Sequence, residues 1–175
     1  MPFTPFHLGP GLLLGLLLLS CVDLPTFLLA SVIVDVEPFL VLYFNLRYPL
    51  HGLLHTFLGG ALLAFLLAAL MSRLRNAFSP LMSFFRVKQK PLFKNILLAS
   101  LLGVYIHIFL DSFLYQDIRP FYPFELNPLF SQDMFIGFAI YGLCILSFIS
   151  GVAIYVIKLF FGGGPLKGDR FDLYT

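Results

Sequence analysis

The sequence predicts an all-α, polytopic membrane helix bundle of about five transmembrane segments, N-terminus outside and C-terminus cytoplasmic. Three observations carry that prediction. Of the 175 residues, 59% are hydrophobic and only 11% are charged, where a soluble domain carries about 25% charged residues. The mean hydropathy is +0.94. The apolar residues are gathered in runs long enough to cross a bilayer, with the charges collected between them. The same numbers exclude disorder, a collagen-like chain and a disulfide scaffold. Cys21 and Cys144 both lie in apolar runs and define no redox compartment.

A spanning helix needs about 20 predominantly apolar residues. The first run, residues 7–22, is somewhat short. No Lys or Arg precedes it in Met1-Pro2-Phe3-Thr4-Pro5, so a cleaved signal peptide is not expected. Asp23 then reads as a helix N-cap with Pro25 near the first turn, starting a second helix over residues 24–44. Pro38 disfavours helical geometry at Glu37, so that helix is expected to end or kink there. These two segments are compatible with two full spans or with a hairpin of shorter ones. Residues 49–72, 94–116 and 133–161 complete the five.

Orientation follows from charge. The loop over residues 73–93, with the adjoining Lys94, holds Arg73, Arg75, Arg86, Lys88 and Lys90 and no acidic residue, which marks it as cytoplasmic. Between the fourth and fifth segments Asp117, Glu125 and Asp133 face only Arg119, which suits the outer side. A tail with Lys158, Lys167 and Arg170, interrupted by a helix terminator at Gly162–Pro165, returns inside after an odd number of crossings. The net charge of +2 reflects this sorting, and no nucleic-acid partner is expected. The basic loop instead suits anionic lipid headgroups, at about 1 kcal/mol per Lys or Arg near the surface. The chain, residues 1–175, reads as one membrane-embedded domain in the cell membrane.

Few ionisable residues interrupt the apolar runs: His7, Asp35, Glu37, His51, His55, His107 and Asp111, which include every histidine of the chain. An Asp near the centre of a membrane helix costs roughly 2.5–3.5 kcal/mol on insertion scales, so such residues usually serve a function. On the expected topology all seven fall in the outer half of the membrane, where they can converge. His51 and His55 are four apart and are expected on one helical face, as are His107 and Asp111. Gly103, one turn before His107, allows close helix approach. Imidazole and carboxylate donors together suit zinc and similar ions. Such an ion acidifies water and polarises an ester or phosphoryl oxygen, with Asp35 or Glu37 as ligand or general base. Plainer readings exist for single members: Glu37 at the membrane surface, His51 and His7 as ordinary hydrogen-bonded histidines, and His107 with Asp111 as a structural pair.

His7, Asp35-Val36-Glu37-Pro38, Gly52-Leu53-Leu54-His55-Thr56 and His107-Ile108-Phe109-Leu110-Asp111, in that order, resemble the membrane-bound metal-dependent hydrolases. That family is also described as LexA-binding and inner membrane-associated. It typically shows an N-terminal His, a P-D-x-D-H segment, an H-R-G-x-T-H-S segment and an H-x-x-x-D late in a helix. A Pro-rich aromatic segment follows, which Arg119-Pro120-Phe121-Tyr122-Pro123-Phe124 looks like. The likeness covers about residues 5–130. Glu37 stands at the second acid of P-D-x-D-H and Pro38 where His is usual. In the next motif Leu50 occupies the first His position, His51 that of Arg, and Thr56 that of Ser. More remotely the arrangement is similar to zinc-dependent phospholipase C and the fungal single-strand nucleases. The resemblance implies phosphoesterase-like chemistry, and a membrane-embedded site favours a lipid or lipid-like substrate. No residue here carries the LexA binding of the family's description.

The leading expectation is a metal-dependent hydrolase with one or two divalent ions, zinc foremost, cleaving a phosphoester or other ester bond of a lipid. Asp35, His55, His107 and Asp111 are expected as ligands, with His7 and His51 as further ligands and Glu37 as general base. The competing expectations are a metal-ion or proton transporter using the same cluster, and an assembly subunit whose polar groups only join helices. The inner half of the bundle lacks the matching ionisable stations and inverted repeats of a transporter.

Overall fold

The computed structural model describes residues 4–161 and 166–167. The opening residues 1–3, the terminator expected at residues 162–165 and Arg170 of the tail lie outside the described residues. Seven α-helices and two short strands make up the described residues. A 3-10 turn, Thr4–His7, leads into α1 (Leu8–Leu17). The turn after α1 ends at Asp23, which caps α2 (Leu24–Ile33) as expected: its carboxylate accepts from the Thr26 amide at 3.3 Å and the Thr26 hydroxyl at 2.5 Å. Pro25 sits in the first turn, where an amide hydrogen is not needed.

The helix breaks after Ile33 rather than at Glu37, and α3 (Val36–Tyr43) continues from the break at a bend of 40°. Pro38 is still the cause. Its ring clashes with the carbonyl four residues earlier, on Val34, and it offers that carbonyl no hydrogen. Val34 instead accepts from the Glu37 amide at 3.1 Å, and Pro38 falls in the first turn of α3.

The third segment also departs from expectation. α4 (Phe57–Leu74) begins eight residues later than the apolar run, behind a single 3-10 turn at Leu53–His55. The amides that an earlier helix would use are taken by side chains. Gly52 and Leu54 donate to Glu37 at 3.0 and 3.1 Å, and Leu53 donates to the Tyr48 hydroxyl at 3.0 Å. Thr56 is the N-cap, its hydroxyl accepting from the Gly59 amide at 2.9 Å.

The basic loop is structured. It contains α5 (Ser79–Phe84) and β1 (Val87–Lys88), which pairs in parallel with β2 (Leu166–Lys167). α6 (Phe93–Ser112) and α7 (Met134–Phe161) follow. The runs Phe57–Phe84, Phe93–Ser112 and Met134–Phe161 are each long and apolar enough to cross a membrane, and α2 with α3 makes a fourth as one bent span. The first segment, Pro5–Leu17, is shorter. At about 1.5 Å per residue it reaches about 20 Å into a hydrocarbon core of about 30 Å.

α6 is the central helix, with α2 and α4 against it, while α1 packs between α2 and α7. Ala30, Val34, Ala64, Leu67, Ala68, Met71, Val104 and Ile108 fill the space between α2, α4 and α6. Small residues set the spacing. A Cβ on Gly103 would stand 2.5 Å from the Ala30 Cβ, and one on Gly9 would stand 2.1 Å from the Cys144 carbonyl oxygen.

Polar contacts close both ends. At the end that carries the basic loop Arg75 Nε donates to Asp23 at 2.6 Å, and Gln89 Nε2 donates to the Leu19 and Val22 carbonyls at 2.7 Å each. Asn95 donates to the Cys21 carbonyl at 2.7 Å. The basic loop therefore wraps the α1–α2 turn, and Arg75 is a buried partner rather than a loop charge. At the opposite end Asn127 donates to the Ser112 and Tyr115 carbonyls where α6 stops, and the Pro120 carbonyl accepts from the Phe57 amide at the start of α4.

Candidate metal centre

The break after α2, the turn before α4 and the second half of α6 meet at the end of the bundle away from the basic loop. Asp35 stands on the break, His55 ends the 3-10 turn, and His107 and Asp111 project from α6. One potential ligand atom from each lies within 4.8 Å of every other. The two groups on α6 occupy one face, as their spacing requires, with His107 Nε2 3.3 Å from Asp111 Oδ2. Asp35 Oδ1 lies 3.4 Å from the same nitrogen.

Each imidazole is aimed by its other nitrogen. His107 Nδ1 stands 2.8 Å from the Ser31 carbonyl, which can only accept, so Nδ1 carries the hydrogen. Its Nε2 then presents a lone pair towards two carboxylates unless a proton or a cation lies between them. His55 Nδ1 donates to Glu37 Oε2 at 2.8 Å, leaving Nε2 buried and directed at the cluster. A backbone carbonyl or a carboxylate behind a histidine is the usual outer support of a metal ligand.

His7 joins from the start of α1. Its Nε2 is 3.1 Å from Asp111 Oδ1, and its ring stacks on His107 with centroids 3.9 Å apart. Glu37, expected as a general base, is occupied by three donors, the Gly52 and Leu54 amides and His55. That makes it an orienting group.

Of the expected ligands, His7 and His51 fall outside the four-residue group, and His51 pairs away from it. Because residues 49–56 are not α-helical, the four-residue spacing does not align it with His55. The two rings meet edge to face at 4.7 Å, and His51 Nδ1 turns to Asp117 at 2.9 Å. Its backbone amide donates to the same carboxylate, and its ring lies against Tyr115.

Sequence reasoning missed Ser31, whose part is played by a backbone carbonyl that no residue type signals. Asp117 read only as an outer-loop charge. Its pairing with His51 spans 66 residues and leaves no periodic trace.

Several buried polar atoms in the cluster make no hydrogen bond of good geometry: His7 Nδ1, Asp35 Oδ2 and His55 Nε2, and also His107 Nε2 and Asp111 Oδ1, whose only contacts are the ion pairs above. Buried polar atoms are normally satisfied by protein, water or an ion, and their concentration here makes the cluster a candidate ion site. Two carboxylates and two or three imidazoles match the donors that divalent transition ions prefer.

Fold and site together define a helical membrane protein with a buried histidine–carboxylate cluster on the side of the bundle remote from its basic loop. The chain belongs to the YdjM inner membrane protein family, whose profile matches residues 1–163. No curated protein and no solved structure matches it.

Proposed function

We propose that this inner-membrane protein is a metal-dependent hydrolase acting on an ester or phosphoester bond of a lipid. The observation that carries the proposal is the convergence of Asp35, His55, His107 and Asp111, one potential ligand atom of each lying within 4.8 Å of the others in a largely buried group. The resemblance to membrane-bound metal-dependent hydrolases supports it, since the residues that converge are those its motifs single out. Zinc is the ion that best suits this donor set. A divalent ion held there supplies a Lewis acid for water and for the scissile oxygen.

The chain's own residues have separable parts. Asp35, His55, His107 and Asp111 hold the ion. Glu37 and the Ser31 carbonyl fix the rings of His55 and His107, so the donor nitrogens point inward before any ion arrives. His7 packs over His107 and contacts Asp111, closing the cluster on the α1 side. Asp35 is the more accessible of the two carboxylates, with a side chain 15% exposed against 3% for Asp111. It takes the proton of the attacking water. His51 and Asp117 stand beyond His55, and Asp117 is half exposed.

The deciding experiment is metal content by mass spectrometry on detergent-purified protein, beside an Asp111→Ala variant. Near-stoichiometric zinc or manganese that disappears in the variant is the expected result. Absence of metal from both, after reloading at neutral pH, overturns the proposal and leaves a structural cluster.

A further inference from the structure

α1, α2, α5 and α7 enclose a partly open cavity of about 580 Å³ that no residue of the candidate centre lines. This lies within the range of about 300–1,000 Å³ typical of small-molecule sites. Its wall along α1 is Leu8, Leu12 and Leu16, one face of the helix at steps of four, about 12 Å long. Leu28 and Val32 of α2 face them, and the far end is closed by Met82 and its neighbours from the basic loop. The one polar side chain among the lining residues is turned away, because the Tyr155 hydroxyl donates to the Phe85 carbonyl at 3.0 Å.

The shape and chemistry of the cavity select its occupant. A peptide segment laid here would leave its amides and carbonyls without partners, which is costly out of water. Water would fare no better. A hydrocarbon chain loses nothing. The outer end of the cavity, at Leu8 and Val32, stands one residue from His7 and three from Asp35. An apolar slot that ends beside a cluster of ionisable groups is complementary to an amphiphile whose polar head lies at the cluster.

We propose that this cavity holds one acyl chain of the lipid on which the centre acts, with the chain's carboxyl end at Leu8 and Val32 and its methyl end near Met82. The assignment of a substrate rests on the hydrolase reading; the existence of a chain site does not. Leu12 and Leu28, which face each other midway, then set the chain length accepted.

The test uses full-length protein in vesicles of phosphatidylethanolamine and phosphatidylglycerol, doped with phosphatidylcholine bearing a diazirine. One probe carries the diazirine near the chain carboxyl, the other at the chain terminus. After illumination, labelled peptides are mapped by mass spectrometry. The expected result is a register: the first probe labels the Leu8 and Val32 regions, and the second labels the Leu16 and Met82 regions. Leu12→Trp with Leu28→Trp is expected to lower both signals at least tenfold while metal content is unchanged. Should that variant fold poorly, the register in the unaltered protein decides alone.

Labels spread along the outward face of α7, identical for both probes, would show ordinary surrounding lipid and overturn the proposal. Absence of label from the cavity overturns it too. The two readings fail separately. Register without bound metal keeps the chain site and removes the hydrolase; metal without register does the reverse.

Discussion

His107 is held by what lies on both sides of its ring, the Ser31 carbonyl at 2.8 Å and two carboxylates at 3.3 and 3.4 Å. His107→Ala therefore removes a ligand atom and leaves a buried carbonyl unpaired, and it is expected to abolish metal binding. Glu37→Gln is a subtler change, because it alters only the support behind His55. Loss of an outer-support carboxylate weakens metal affinity by about 10–100-fold, and competition against a chelating indicator is expected to read a shift in that range. His51→Ala and Asp117→Asn are expected to retain a full complement of metal, since their pairing lies outside the cluster; a loss in either would place His51 among the ligands after all. At this scale the sequence was most legible where spacing and local structure agree. His107 and Asp111 are four apart on a real helix, and they meet. His51 and His55 are four apart on irregular backbone; their rings touch edge to face, yet His51 Nδ1 turns to Asp117 and His55 Nδ1 to Glu37.

Helix ends and crossings were legible where a residue type acts alone. Asp23 and Pro25 mark the start of α2 because capping is local chemistry. The start of α4 was hidden because residues 49–56 are as apolar as the helix, and only Glu37, from elsewhere in the chain, draws their amides away. Thr56→Val removes the true cap and is expected to cost about 1 kcal/mol, seen as a lower Tm in detergent. Gly103 marks the closest approach of α2 to α6. Gly103→Ala places a Cβ 2.5 Å from that of Ala30, an overpacking that typically costs about 1–3 kcal/mol. The displaced helix also pulls His107 off the Ser31 carbonyl one turn away, so bound metal is expected to fall with stability. Gly142→Ala is the matched control: a Cβ there meets nothing within 4 Å, and Tm is expected to hold.

For the molecule as a whole, charge asymmetry predicts which side faces out. A single cysteine introduced at Ser131 is expected to react with an impermeant maleimide from outside the membrane, and one at Lys88 only after the membrane is opened; the reverse pattern inverts the topology. Composition disclosed the class of fold, because the bilayer demands apolar helices. It did not disclose how the basic loop is used, since Arg75 looks like any surface charge until Asp23 is beside it. Asp23 is fully buried, and Arg75→Ala strands its carboxylate, an event that typically costs about 3–5 kcal/mol. Thermal unfolding is expected to show a larger loss for Arg75→Ala than for Arg75→Leu paired with Asp23→Asn. That contact also bears on how the chain is made. The α1–α2 turn is completed by Arg75, Gln89 and Asn95, and the nearest of them trails Asp23 by 52 residues. At about 5–20 residues per second of synthesis, the newborn hairpin waits roughly 3–10 seconds for its first partner. Until then water alone answers its carboxylate, and the hairpin is provisional.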